Sequence, residues 1–412
     1  MPGCQILSAP RLALTRETVE QLSRRRHEPA WLLAMRLRAF EAFERMPMPD
    51  QRTEGWRRTS LRGLPVDEVD PLGRGDVPSS WAIEHGRTVM DLREALEDPR
   101  LSQRIQRYFG TVVAPESDKF TAMHYAFFNA AVVVLVPRGT IIEDPIWVTH
   151  HSGEQSALVH TLVIAEDESQ VSIVEDYRGG SGVASGVVEQ VVGVNAHVRY
   201  VQLQRWAPDV WSFSWQRAQL AQDASLKTLN VALGARTARN TVQVLLAGRG
   251  GQADLLGVVD GHGRQYVDFQ TLQEHSGNAT RSDLIIHNAL RDRSSANFTG
   301  LIRINKSAHQ TESSQEQKNI LLSERSKADS DPKLEILNND VIRCTHGAAV
   351  GPVDQEMVFY LESRGLDRAS AEQLIVEGFF QSTLRKLGLP RVEEALWSAI
   401  AEHEQQANAA NE

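Results

Sequence analysis

The chain has 412 residues, 41% of them hydrophobic and 24% charged, with a formal net charge of −9. These are the proportions of a soluble globular protein, and the length exceeds a usual domain of ~100–200 residues unless one elongated β architecture absorbs it. The acidic balance excludes a general nucleic-acid binder, and the local basic clusters Arg24-Arg25-Arg26 and Arg57-Arg58 read as a solvated helix face and a polar loop.

Met1 to Leu14 has no long apolar stretch behind a basic start, so no secretory leader is expected there. Cys4 and Cys344 are the only cysteines. Two thiols make neither a disulfide framework nor an all-cysteine metal cage, and they suit a reducing, cytoplasmic location. Thr15 or Thr18 opens a helix through Val19 and Leu22, and a second helical pattern follows Pro29 with Trp31, Leu32, Met35, Leu37, Ala39, Phe40 and Phe43. Pro47-Met48-Pro49-Asp50 stops it. Residues 60–115 mix short turns with one expected helix around Val89 to Leu96.

From about Met123 to Arg343 the pattern is β. Ala130 to Val136 is the longest apolar run, the length of a buried strand and far too short to span a bilayer. His197 to Leu203 alternates strictly, and similar runs at Leu158–Ile164, Val187–Val194, Leu226–Leu233, Tyr266–Leu272 and Phe298–Ile304 are divided by Gly, Asp, Ser or Asn. Some ~220 residues with roughly a dozen or more strands are too many for one sandwich of seven to nine strands. A solenoid has no such limit. No strict repeat period is visible, so the pattern favours an irregular β-solenoid only slightly over a double sheet.

The C-terminal segment is helical again. Asp354 caps a helix from Gln355 to Ser363 with Gly365 past its end, and Ser370-Ala371-Glu372-Gln373 reads as a capping box. Leu374, Ile375, Phe379, Phe380, Leu384 and Leu387 follow, then Gly388, Pro390 and a last helical pattern that is expected to fray from Glu404.

Few residue sets carry chemistry. Cys344 and His346 stand two apart, so on a strand both side chains face one side. A thiolate and an imidazole suit iron or zinc, but two ligands make half a site. His150-His151 reads as a turn at a strand end, His262 as part of a tight Gly-His-Gly turn, and His275 as one of a stack of polar side chains near Asp268 and Thr271. No phosphate-binding G-x-x-x-x-G-K-[ST] loop, nucleophile elbow or triad occurs, so the chain itself should not bind ATP phosphates. Glu175-Asp176, Asp254 and Asp260 are scattered carboxylates without aromatic platforms, which keeps a β-helical carbohydrate-active enzyme as a remote alternative.

The stretch from Leu321 to Gly365 is more specific. It contains Leu321-Leu322-Ser323, Ala328 to Ser330, Pro332 to Ile336, Asp340-Val341, Cys344 to Gly347, and Phe359 to Gly365. This order closely resembles the SufB/SufD family of iron–sulfur cluster assembly scaffolds. Ala126-Phe127-Phe128 leading into Val136-Pro137-Arg138-Gly139, Asp268 to His275, and Thr280-Arg281-Ser282 are similar as well, with a departure at Ala130. Glu28 to Leu32 and Trp56 to Thr59 resemble the SufD branch, as do the modest length and the lack of a further core cysteine. The resemblance implies a right-handed parallel β-helix core at 116–345, between an N-terminal helical region and linker at 1–115 and a C-terminal helical region at 346–412. It implies a non-catalytic scaffold that pairs with SufB and docks two copies of the SufC ATPase, with ATP entering only through SufC. Cys344 and His346 would then hold a transient iron–sulfur cluster shared with the partner chain, and Leu374, Phe379, Phe380 and Leu384 would offer the ATPase a dock. A SufB-like homodimer is the alternative within the family.

Overall fold

The computed structural model describes residues 14–72, 77–81 and 88–409; Cys4 lies outside them. Two helices come first, α1 (Arg16–Arg25) and α2 (Ala30–Arg45). Thr15 caps α1 by accepting from the Thr18 N–H at 3.2 Å, and Pro29 stands at the N-cap of α2. Strand β1 (Ser79–Trp81) follows. The helix expected around Val89 to Leu96 is divided into strand β2 (Val89–Asp91) and helix α3 (Leu92–Glu97). The reason is Asp91, which accepts from the Arg93 N–H at 2.8 Å and so starts the helix only after β2 has paired. Helices α4 (Pro99–Tyr108) and α5 (Lys119–Phe127) complete the N-terminal layer.

The chain then winds through β3 (Ala130–Val136), β4 (Ile146–His151), β5 (Ala157–Ala165), β6 (Gln170–Gly179), β7 (Val183–Val192), β8 (His197–Trp206), β9 (Trp211–Leu220), β10 (Ser225–Ala232), β11 (Thr237–Leu246), β12 (Gln252–Gly261), β13 (Tyr266–His275), β14 (Arg281–Leu290), β15 (Ser295–Ile304), β16 (Thr311–Leu321), β17 (Lys327–Ile336) and β18 (Val341–Pro352). Even-numbered strands from β4 to β18 form one sheet with β1 at its edge, and odd-numbered strands from β17 back to β3 form the other with β2 at its edge. Each turn gives one strand to each sheet, so β3–β18 make a β-solenoid of about eight turns. The solenoid and the double sheet left open by the sequence pattern are thus one object. Neighbours within each sheet are parallel, except that β1 meets β4 and β2 meets β3 antiparallel.

The turns are unequal, which hides the repeat from a sequence search. Ser225 lies beside His197 and Gln252, intervals of 28 and 27 residues, whereas Ser295 lies beside Tyr266 and Lys327, intervals of 29 and 32.

Side chains alternate across each strand, and both faces are buried along much of the solenoid. Val132, Val134, Ile173, Tyr200 and Phe269 pack between the sheets. Val133, Leu162, Val187 and Phe213 point outward from the odd sheet and are covered by Phe40, Phe120 and Phe127 of the N-terminal helices. Val174, Val201, Leu229 and Val258 point outward from the even sheet. They meet Phe380, Leu384, Leu396 and Ile400 of helices α7 (Arg368–Leu384) and α8 (Pro390–Ala409).

Three boundaries differ from expectation. Strand β18 runs to Pro352, past the expected end of the core at 345, because it pairs with β16 as far as Leu321 beside Pro352. Helix α6 (Gln355–Ser363) is capped by Asp354 as expected, but α7 begins before Ser370: Asp367 is the cap, accepting from the Ser370 N–H at 2.8 Å. Helix α8 continues through Glu404 rather than fraying, since Glu404 is half-buried and 3.4 Å from Arg291.

Candidate functional site

The sheets end in β17 and β18, which have strand neighbours on one side only. In β18, Cys344 lies beside Ser313 and His346 beside Gln315. In-register parallel neighbours share a face. Ser313 and Gln315 are buried, and Gln315 is itself beside Leu284 of the inter-sheet core. Cys344 and His346 therefore continue the interior row of the solenoid at the point where the next turn is missing. Cys344 is partly buried against Ile302, Ile304 and Ala308, and His346 is exposed. Partial burial pushes the Cys344 thiol above its ordinary range. It is protonated at neutral pH, so a metal or a base has to take its proton before it becomes a ligand.

The facing row on β17 contains Ser330, Pro332, Leu334 and Ile336, in register with Phe298, Gly300, Ile302 and Ile304. One turn covers these side chains from below and none from above. Ile336 remains 43% exposed and Val350 of β18 45%, with Leu334 and Ile342 also open. The open end thus presents two unpaired strand edges, an apolar rim, and one thiol and one imidazole.

Behind this rim the interior turns polar. The two ring nitrogens of His275 are 2.7 Å from Thr280 Oγ1 and 2.8 Å from Ser282 Oγ, which is 2.8 Å from Ser313 Oγ. Gln273 Nε2 donates to Ser282 at 2.8 Å. Burial pushes the His275 pKa down to about 4, so the ring is neutral at pH 7. Thr271 shares this interior row, but Asp268 alternates to the outer face, where it accepts from Thr59, Arg239 and Asn297.

Other candidates separate. His150 is not in a turn: it is fully buried in β4, 2.7 Å from Glu175 Oε1 and 2.7 Å from Ser79 Oγ. Its partner lies one turn further along the chain, which a local reading does not see. Glu175 faces the interior while Asp176 faces outward onto Arg178 and Arg205; Asp254 pairs with Lys227, at the opposite end of β12 from Asp260. These carboxylates form no pair across a cleft. Phe380 and Leu384 are fully buried on the solenoid-facing side of α7, Phe379 stacks on His287 with ring centroids 4.2 Å apart, and Leu374 is exposed. Met357, Phe359 and Tyr360 of α6, and Leu366 in the connection to α7, join Leu374 as exposed apolar residues of the C-terminal region. Their signal in the sequence was Met357 to Leu361, five apolar residues in a row, which cannot all lie on one helix face. Among the described residues no helix is long and apolar enough to cross a membrane.

The fold is thus a parallel solenoid with helical layers on both outer faces and a thiol and an imidazole on its last strand, and comparison with known proteins assigns its class. The family model for the SufBD core domain of the SUF iron–sulfur cluster assembly system matches residues 148–379. The chain belongs to the SufBD family of iron–sulfur cluster assembly proteins. It is 31% identical to a SufBD family protein of Mycobacterium bovis, over 88% of this chain and 90% of the relative. It is 28% identical to the iron–sulfur cluster assembly protein SufD of Bacillus subtilis, over 95% of this chain and 98% of the relative, and 25% identical to SufB of the same organism, over 91% and 90%.

Proposed function

We propose that this chain is the SufD-type, non-catalytic subunit of a SUF scaffold, and that its open end seats a SufB-type chain. The observation that carries this reading is the Cys344–His346 pair on the last rung, beside unpaired edges and an apolar rim that a second solenoid end would cover. The higher identity and fuller coverage against SufD than against SufB support the same branch. Cys344 and His346 supply half of a ligand set for a transient iron–sulfur cluster, which is cargo rather than a resident cofactor, and the partner supplies the rest. Of the two, His346 is the exposed and accessible donor; Cys344 joins once its proton is removed. The SufC ATPase docks on the exposed apolar side of the C-terminal helices, around Phe359, Tyr360 and Leu374, while Phe380 and Leu384 hold those helices to the solenoid. ATP acts only through SufC. In the absence of SufB the same rim pairs two copies of this chain.

The test is co-expression with a SufB-type paralogue and the SufC ATPase. Wild type is expected to co-purify with both and to gain cluster absorbance on reconstitution. His346→Ala should leave the complex intact and abolish cluster formation; a normal cluster yield removes His346 from the site. Failure to capture a SufB-type partner, together with self-association, favours the SufB-like homodimer instead.

A further inference from the structure

The last helix meets the solenoid at a second cluster of metal-binding side chains, remote in sequence from Cys344 and His346. We propose that Asp260 and His262, at the end of β12, and His403, on α8, bind one divalent ion of borderline softness such as zinc(II), which staples the C-terminal helix to the solenoid.

The three residues offer ligand atoms that all lie within 4.8 Å of one another. A tetrahedral ion with bonds of about 2.0–2.2 Å places its ligand atoms roughly 3.3–3.6 Å apart. His262 Nε2 is already 3.1 Å from Asp260 Oδ2. The His403 ring stands edge-on to that of His262, with centroids 5.0 Å apart, and needs to close by only about 1 Å. Two imidazoles and one carboxylate suit zinc-class ions, with a water completing the coordination.

The surroundings fit an ion better than they fit an ordinary ion pair. Arg291 donates to Asp260 Oδ1 at 2.7 Å, which fixes the carboxylate and leaves Oδ2 turned to His262, as outer partners of metal ligands do. Arg291 also reaches Glu404 at 3.4 Å. One guanidinium is thus shared between two carboxylates. The Nε2 of His403 lies 3.1 Å from the Asp260 carbonyl oxygen, so in the metal-free state its N–H donates there. On its other side His403 lines a cavity of about 260 Å³ with Arg205, Trp206, Glu402 and Gln406.

The experiment uses the full chain carrying Cys344→Ser and His346→Ala, so that the open end contributes no ligands. Zinc(II) is titrated in competition with a chromophoric chelator, and Tm is followed against free zinc. One equivalent bound with micromolar or tighter Kd is expected, with Tm rising as zinc rises. His262→Gln and His403→Gln should each weaken binding at least about 30-fold and abolish the Tm shift. Unchanged stoichiometry and Tm response in both glutamine variants overturn the proposal, as does the absence of a bound equivalent in the parent. Zinc K-edge absorption on that parent decides even if a glutamine variant fails to fold: two imidazoles in the coordination shell support the site, and a shell without them rejects it.

Discussion

Ile336 and Val350 stand on the last strand of each sheet, 43% and 45% exposed. Complete burial of such a side chain stabilises by about 1.5–3 kcal/mol, so a partner that covers the remainder of both gains about 1–3 kcal/mol. Ile336→Asp combined with Val350→Asp removes that gain and forces two carboxylates out of water, a cost of several kcal/mol. Together these amount to at least about 4 kcal/mol, or roughly a thousandfold in Kd. The fold should survive, because neither side chain is sealed by a further turn. Calorimetric titration of the double variant against a SufB-type chain, with circular dichroism to confirm folding, measures the effect. An affinity within threefold of wild type for a folded variant would refute the assignment of this end as the interface.

Phe380→Ala empties a sealed position between α7 and the even sheet and should cost about 3–5 kcal/mol in urea unfolding, whereas Phe359→Ala should change stability by less than about 0.5 kcal/mol yet weaken SufC binding more than tenfold. Glu28→Gln leaves Arg36 fully buried without the carboxylate it holds through two 2.7 Å bonds, and should destabilise by about 3–5 kcal/mol; adding Arg36→Met should recover part of this, and strictly additive costs in the double-mutant cycle would show that the pair is not coupled. The lowered pKa of His275 sets a pH dependence: above 6.5 both folded and unfolded states hold a neutral ring, and between 6.5 and about 4 only the unfolded state binds the proton. Stability should therefore fall by up to about 3 kcal/mol as pH drops through that window, and His275→Gln should flatten the fall; an unchanged slope removes His275 as its source.

The strands were legible because each carries its own alternation, and the caps Thr15 and Asp354 because they act within three residues. What failed to show was anything whose partner lies one turn or more away. His150 looked like a turn residue because Glu175 and Ser79, which hold it in the buried interior, are 25 and 71 residues distant. The Ser370 box was a sound local pattern, but Asp367 offered a carboxylate three residues earlier and took the Ser370 N–H. The spacing of Cys344 and His346 correctly put both on one face, yet only the register with Ser313 and Gln315 says which face it is. His403 lies 143 residues from Asp260, so no spacing rule joins them.

The two short antiparallel strands at the far end have a consequence for copy number. β1 and β2 are three residues each, and each runs against the grain of the sheet it borders. A stackable block with two equivalent parallel faces would polymerise head to tail without limit. This one is blunted by short antiparallel strands at the start of the winding, whereas at its finish β17 and β18 lack a neighbour on one side along their whole length. A second chain joined through that finish would cover the two long parallel edges and leave only the short antiparallel ones, so the expected product is a discrete pair instead of a fibre.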